Sequence, residues 1–307
     1  MPAEEQIEGV TEICGDIRDP ATVDRAVTGC DYVVHCAAAL ALARPEEIDS
    51  VNVGGTSGLL AAAKRHKVKR LVYVSSTAVY GMPKFHPILE DAPLDPMGDY
   101  GVSKARAEQI CLSQEAVPSM VIRPKSFIGT GRLGIFQILF DWIECGKRIY
   151  ILGPGTNTFQ LLAVDDLVNA IALAVERGRA GQIYNVGAGR YGTVNEDVGA
   201  LLRHASTGSR IAHVPARPAK LALGLLDRLH LSPVYRWVYD TADQDSYVSI
   251  EKARSELGWQ PVYSNSEILI RTYDWYLQEG KIMAQATGTS HRVAWKQGAL
   301  RLLKALS

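Results

Sequence analysis

Short apolar runs alternate with stretches of helical periodicity through the first half of the chain. Gly9–Gly15 (GVTEICG) predicts a strand, and Ala21–Thr28 a short helix opened by Asp19-Pro20, where a proline in the first turn costs no hydrogen bond. Asp31–Cys36 (DYVVHC) is the next strand. Glu46–His66 fits one long helix with Ile48, Val51, Leu59, Leu60 and Ala63 on its buried side. Arg70–Ser75 (RLVYVS) is apolar without alternation, as expected of a strand covered on both faces. Tyr100–Ser113 reads as a helix and Ser119–Arg123 (SMVIR) as a further strand. Strands alternating with helices in this way predict an α/β fold with a doubly wound parallel sheet.

The second half is less regular. Gly129–Gly134 is a glycine-rich turn leading into a helix near Ile135–Cys145, and Asp165–Arg177 is a helix whose acidic start suits the helix dipole. A strand at Gln182–Val186 precedes a helix near Val194–His204. Leu221–Leu231 is a leucine-rich helix, and Ile250–Leu257 another that ends at Gly258. The last seventeen residues carry only positive charge (Arg292, Lys296, Arg301, Lys304) and form no clean apolar stripe, so they read as a docking helix or a frayed end. The boundaries that follow are a sheet domain over 1–125, a mixed α/β lobe over 126–280 with the strand near 182–187 returning to the sheet, and a basic tail over 281–307.

Composition narrows the function. Of 307 residues 47% are apolar, and 33 basic residues balance 33 acidic ones. Such a chain lacks the basic excess of a nucleic-acid binder and the charge of a disordered solvating chain. Five cysteines (Cys14, Cys30, Cys36, Cys111, Cys145) include no C-x-x-C pair, and the seven histidines no H-x-x-x-H, so neither a disulfide framework nor a metal site is expected. With no run of 18 apolar residues and no signal-peptide shape at MPAEEQIEG, the expectation is a soluble, cytoplasmic protein without stable membrane insertion.

The sharpest local feature is Tyr100-Gly-Val-Ser-Lys104. Residues four apart share a helix face, so the Lys104 ammonium can sit beneath the Tyr100 phenol and draw its pKa toward the range of a general acid/base. A lone Y-x-x-x-K is also what a surface helix produces by chance. Upstream, Ser75-Ser76-Thr77 closes a strand at its carboxyl end, where α/β sheets bind ligands. A hydroxyl there can hold a substrate oxygen that Tyr100 protonates, or can merely satisfy strand-end backbone groups. Asp16, one strand earlier, is placed to meet an adenine or ribose, or is a turn residue beside Asp19-Pro20.

Together these residues resemble the extended short-chain dehydrogenase/reductase family, also called NAD-dependent epimerase/dehydratase. The resemblance runs from about Val10 to Pro261, in family order: GDIRD at Gly15–Asp19, DYVVHCAA at Asp31–Ala38, NVGGT at Asn52–Thr56, VYVSSTAVYG at Val72–Gly81, YGVSK at Tyr100–Lys104, RPKSFIG at Arg123–Gly129, VDDLVNAI at Val164–Ile171, YNVG at Tyr184–Gly187 and LGWQP at Leu257–Pro261. It implies a Rossmann-type fold and an NAD or NADP cofactor. It makes Tyr100 the proton donor and acceptor, Lys104 the group that binds the nicotinamide ribose and tunes Tyr100, and Ser76 the holder of the substrate oxygen, with Thr77 close by. Asp16 and Ile17 would flank the adenine, Ala37 and Ala38 border the phosphates and ribose, and Pro124 lie near the carboxamide. Asn52 would brace the central strands. A homodimer built by Glu46–His66 and Tyr100–Ser113 is a family-level expectation.

The sequence also departs from the pattern. The family's opening strand, G-x-x-G-x-x-G turn, helix and second strand are not found, so the chain is expected to start just before the third strand, short of roughly 50 residues that would carry the pyrophosphate. Gly187-Ala-Gly189-Arg-Tyr-Gly192 spells G-x-G-x-x-G, yet no acidic residue lies between Val198 and Leu226, so it reads as a decoy. Many sugar-nucleotide members have Asn where Ser126 stands and an Arg-Asp pair where Phe159-Gln160 stand. That leans the expectation toward reversible hydride transfer at a secondary alcohol or ketone of a small, weakly anionic substrate touching Thr77, Ser126, Arg132 and Gln160. The alternatives are a nucleotide-sugar epimerase or dehydratase, and a non-catalytic scaffold or incomplete gene product.

Overall fold

The computed structural model describes residues 8–228, 236–280 and 304. Helix α1 (Pro20–Val27) is capped by the Asp19 carboxylate, which accepts from Ala21 N and Thr22 N. Strand β1 (Tyr32–His35) follows, then α2 (Pro45–Asp49), a wide π turn at Ser50–Gly54, and α3 (Gly55–Arg65). β2 (Arg70–Val74), α4 (Gly98–Leu112) and β3 (Ser119–Pro124) complete the first half. The second half contains β4 (Ser126–Ile128), α5 (Phe136–Glu144), β5 (Ile149–Leu152), β6 (Leu161–Ala163), α6 (Val164–Arg177), β7 (Ile183–Val186), α7 (Val194–Ala205), β8 (Ile211–Val214), α8 (Ala216–Arg228), α9 (Arg236–Thr241) and α10 (Asn265–Trp275).

The main sheet is parallel throughout, in the order β1-β2-β3-β7. Its register pairs Val34 with Val72, Val72 with Met120, and Ile122 with Tyr184. β2 and β3 are central, and their unbroken apolar runs follow from burial on both faces: Leu71, Val72, Met120, Val121 and Ile122 are fully buried. One face packs against α1, α3 and α4 through Val23, Val27, Leu60, Ala63, Ala107 and Cys111. The other packs against α6 and the segment ending at Trp259, through Ala170, Ala174, Leu257 and Trp259 itself. A second core joins α5, α7 and α10 around Phe140, Ile143, Leu201, Leu269 and Tyr273. Beside it lie two small parallel pairs, β4–β6 and β5–β8.

Several expectations need correction. Gly9–Gly15 forms no strand: the segment is exposed, Val10 and Ile13 included, and no neighbouring strand among the described residues takes its backbone hydrogen bonds. The helix expected over Glu46–His66 is interrupted by the π turn at Ser50–Gly54. The turn's Asn52 points inward, its Oδ1 accepting from Ala39 N at 2.7 Å and its Nδ2 donating to Ser103 Oγ at 2.9 Å. That side chain ties the loop after β1 to α4, where bracing of the central strands was expected. The leucine-rich helix starts earlier than its pattern suggests, at Ala216, and the end expected at Leu231 lies outside the described residues. The basic tail over 281–307 likewise lies outside them apart from Lys304, whose ammonium binds the Asp141 carboxylate at 2.6 Å. The three-to-four-residue strands β4, β5, β6 and β8 are too short to leave a period in the sequence.

Candidate active site

Strand β2 delivers its carboxyl end to the site. After Val74 the chain leaves the sheet at Ser75, and Ser76, extended at φ −161°, caps the short turn Thr77–Tyr80 by accepting from Ala78 N at 3.1 Å. Gly81 ends that turn at φ 64°; a Cβ there would stand 2.0 Å from the Asp95 carbonyl, so only glycine lets the following loop close over the strand end. Tyr100 sits in the first turn of α4, and it lines the same cavity as Ser76. Desolvation raises the Tyr100 pKa, while the Arg132 charge and the Ser76 hydrogen bond pull it back.

Lys104, one turn further on, is 2% exposed. Its ammonium is directed not to Tyr100 but to the Val74 carbonyl, 2.7 Å away, and lies 4.3 Å from the centroid of the Tyr73 ring. This corrects the expected pairing: the cation acting on Tyr100 is Arg132, from the turn after β4. Burial pulls Lys104 down to about 8 against the opposing pull of the Glu108 carboxylate. Burial also lowers Arg132, to about 10, and its guanidinium stacks 3.9 Å from the centre of the Phe127 ring.

A cavity of about 620 Å³ opens beside these groups. Ser76, Thr77, Tyr100, Pro124, Ser126 and Arg132 all face it together with Ser75, so it gathers half of the candidate residues. Its far wall is apolar, built from Phe127, Leu133, Phe136, Leu139, Phe159 and Leu269. The remaining cofactor candidates lie outside this cavity. Ala37 is exposed beyond the end of β1, and Ala38 is half-buried. Ile17 packs against Gly55. Asp16 is exposed and gripped by the Nε–Nη2 edge of the Arg18 guanidinium, which holds its carboxyl down at about 2.

The fit of a nicotinamide group can be tested on the polar atoms present. Among the described residues the buried Ser75 Oγ has no partner, and the Lys104 ammonium has a neutral carbonyl and a ring as its partners. Both suit a ribose hydroxyl, and the strand-end location suits a dinucleotide. Gln160 does not belong to the site. Fully buried, it donates to the Ala188 carbonyl and accepts from Val248 N, both at 2.8 Å, and bridges two backbones instead of facing the cavity. The G-x-G-x-x-G stretch has its own structural reasons. A Cβ on Gly187 would meet Gln160 at 2.5 Å, and Gly192 N donates to the Asp197 carboxylate, leaving no cradle for a phosphate.

Sequence reasoning missed Lys125, and it used Phe159 only as a sign of a less anionic substrate without placing it in an apolar wall. Lys125 follows the buried run of β3 directly, and a lysine continuing such a run was the available signal. It also missed the brace behind the site. Arg123 at the end of β3 forms a buried ion pair with Glu108 of α4 at 2.6 Å, and also donates to Tyr80 Oη at 2.7 Å and to the Glu90 carbonyl at 3.0 Å. These bonds lock α4, which carries Tyr100 and Lys104, onto the strand end and the Ser76 turn.

Residues 2–187 match the family model for the NAD dependent epimerase/dehydratase family. The chain is 37% identical over 293 residues to the Sinorhizobium fredii protein y4nG, covering 94% of this chain and 74% of that one. A dTDP-glucose 4,6-dehydratase of Streptomyces griseus is 32% identical over 277 residues, with 85% and 76% covered. Among solved structures, the dTDP-glucose 4,6-dehydratase DesIV of Streptomyces venezuelae, a double mutant with NAD and DAU bound, superposes with a TM-score of 0.69. The two are 26% identical, over 87% of this chain and 80% of that one. No helix among the described residues is long and apolar enough to cross a membrane.

Proposed function

The chain belongs to the NAD-dependent epimerase/dehydratase family, and from that premise we propose that it oxidises and re-reduces a secondary alcohol of a sugar nucleotide, as an epimerase or dehydratase does. The carrying observation is that Ser76 and Tyr100 face one cavity at the carboxyl end of a parallel strand, and that this cavity is large enough for a sugar. The dehydratase relatives favour this reading over reduction of a small, weakly anionic ketone, the leading expectation from sequence.

The cofactor, NAD or NADP, accepts and returns the hydride when bound. Everything else falls to the chain's own residues. Ser76 Oγ donates to the reacting oxygen and fixes it within reach of Tyr100. Tyr100 Oη removes the hydroxyl proton as the carbonyl forms and restores it on the return step. Arg132 supplies positive charge beside the phenol and favours the phenolate in a dry cavity, where such a charge acts with little screening. Lys104 holds the ribose side, and Asn52, Glu108 and Arg123 keep α4 seated. The apolar wall excludes water from the ketone while it exists.

The apolar wall also favours a second reading, reduction of a hydrophobic ketone by the same residues. The experiment that separates them incubates the full chain and NAD with dTDP-glucose and UDP-glucose, and separately NADPH with hydrophobic ketones, with products followed by NMR. Conversion of a sugar nucleotide that is lost in Tyr100→Phe supports the proposal. Turnover confined to the ketones refutes it.

A further inference from the structure

Lys125 lines the cavity, and none of these roles uses it. It continues the chain from the end of β3, is 2% exposed, and faces the same cavity as Ser76 and Tyr100. Its ammonium donates to Ser246 Oγ at 2.6 Å and lies 4.9 Å from the centre of the Phe159 ring. Both partners are neutral. Lysines are almost never fully buried unless paired, because an uncompensated ammonium in an apolar setting costs several kcal/mol.

The other charged groups around it are engaged elsewhere or lie apart. Asp245, on the segment that carries Ser246, accepts from Thr158 N at 2.8 Å. His86, whose pKa burial and the nearby Lys125 charge lower while Asp245 raises it, stacks on Tyr247 at 4.8 Å. Asp197 is held by Asn265 Nδ2 at 2.8 Å, and Arg132 stacks on Phe127. Asp99 stands exposed at the start of α4. Among the described residues no carboxylate forms an ion pair with Lys125, although Asp99, Asp197 and a second cation, Arg132, line the same cavity.

We propose that Lys125 is the seat of an acidic group on the sugar itself, a carboxylate, so that the chain acts on uronic-acid-type sugar nucleotides in preference to neutral ones. This rests on the sugar reading above and specifies it. The Lys125 ammonium, whose partners are the Ser246 hydroxyl and the Phe159 ring, neutralises one negative charge, which suits a carboxylate better than a doubly charged phosphate ester. Ser246, already bonded to the ammonium, adds a hydroxyl to the same seat. Burial alone holds Lys125 down at about 7. Seating an anion raises that pKa, so binding takes up a proton above neutrality and none below it. Affinity for the acidic sugar therefore falls as the pH climbs past about 7.

The test is calorimetric titration of the full chain with UDP-glucuronate and UDP-glucose at about pH 6 and about pH 8, in buffers of different ionisation enthalpy. UDP-glucuronate should bind at least roughly tenfold more tightly at the lower pH. It should lose most of that advantage at the higher pH, with proton uptake there alone. In Lys125→Met the ratio of the two affinities collapses toward one. In Lys125→Arg the preference survives and its pH dependence disappears, since arginine does not titrate in this range. Equal affinities in the wild type, or a preference that persists in Lys125→Met, overturn the proposal while leaving the sugar reading intact. If neither nucleotide binds, the sugar-nucleotide reading fails. The seat is then decided by thermal shifts with D-glucuronate and D-glucose, and equal shifts overturn it.

Discussion

Glu108→Ala removes the carboxylate that holds Arg123 in place behind the site. Arg123 and Glu108 are both nearly fully buried and are joined by three hydrogen bonds of 2.6 to 3.2 Å. With the carboxylate gone, the guanidinium keeps only neutral partners, Tyr80 Oη and the Glu90 carbonyl. Breaking a buried pair from one side costs about 3–5 kcal/mol, most of it the uncompensated charge. For a domain of this size each kcal/mol moves the melting temperature by about 2–4 °C, so a drop of roughly 6–20 °C is expected. Circular-dichroism melts and urea titrations of wild type and variant measure it directly. Pairing Glu108→Leu with Arg123→Met, which removes both charges at similar volume, should recover most of the loss. Glu108 also supports the charge on Lys104, so Lys104 should titrate lower still in Glu108→Ala. A melting temperature within about 2 °C of wild type would refute the reasoning, because it would mean the pair is not desolvated in solution.

Three further outcomes follow from the same geometry. Tyr100→Phe should lower turnover by about 10²–10⁴-fold while the thermal shift produced by the cofactor persists; parallel loss of cofactor binding would assign Tyr100 a binding role instead. Burial depresses Lys104 from its ordinary value of 10.5 to about 8. Between those values the unfolded chain holds a proton that the folded chain has shed, so this residue's contribution to stability rises with pH across about 8 to 10.5. Denaturant melts of wild type and Lys104→Met should show the wild type gaining on the variant over that window, and a constant difference would contradict the burial. Gly187→Ala places a methyl 2.5 Å from Gln160 and displaces its bridge from Ala188 to Val248. The expected cost is about 1–3 kcal/mol by urea titration, and a neutral result would show the bridge to be dispensable.

The parts of the fold legible in the sequence were those whose burial leaves a period or a run. β2 and β3 are covered on both faces, so Leu71–Val74 and Met120–Ile122 read as unbroken apolar stretches. α6 and α7 announce themselves by acidic first turns, and α7 also by the Thr193–Glu196 capping box. The catalytic candidates were legible through spacing, since Tyr100 and Lys104 must share a helix face and Ser76 must close a strand. Spacing along a helix does not fix where a long side chain ends. Lys104 shares that face with Tyr100, yet its four-carbon stem carries the ammonium to the Val74 carbonyl and the Tyr73 ring. The charge of Arg132 acts on the phenol from a turn after β4, remote in sequence from Tyr100, which no local pattern encodes. Gln160 was misplaced for a related reason: a polar residue beside a candidate pocket looks like a ligand contact until both ends of its amide are seen to be bonded to backbone. The segment Gly9–Gly15 has the composition of a strand, but a strand exists only where a neighbour takes its hydrogen bonds.

The central claim is that Ser76, Tyr100 and the bound nicotinamide act together on a sugar hydroxyl. Rapid mixing of the full chain, loaded with NAD, against dTDP-glucose, UDP-glucose and UDP-glucuronate, with reduced-nicotinamide absorbance followed through a single turnover, tests it most directly. The account predicts a transient rise in that absorbance with at least one of these sugars, slowed by roughly a hundredfold or more in Tyr100→Phe. Cofactor binding without any rise, or a rise of equal rate in Tyr100→Phe, would contradict it.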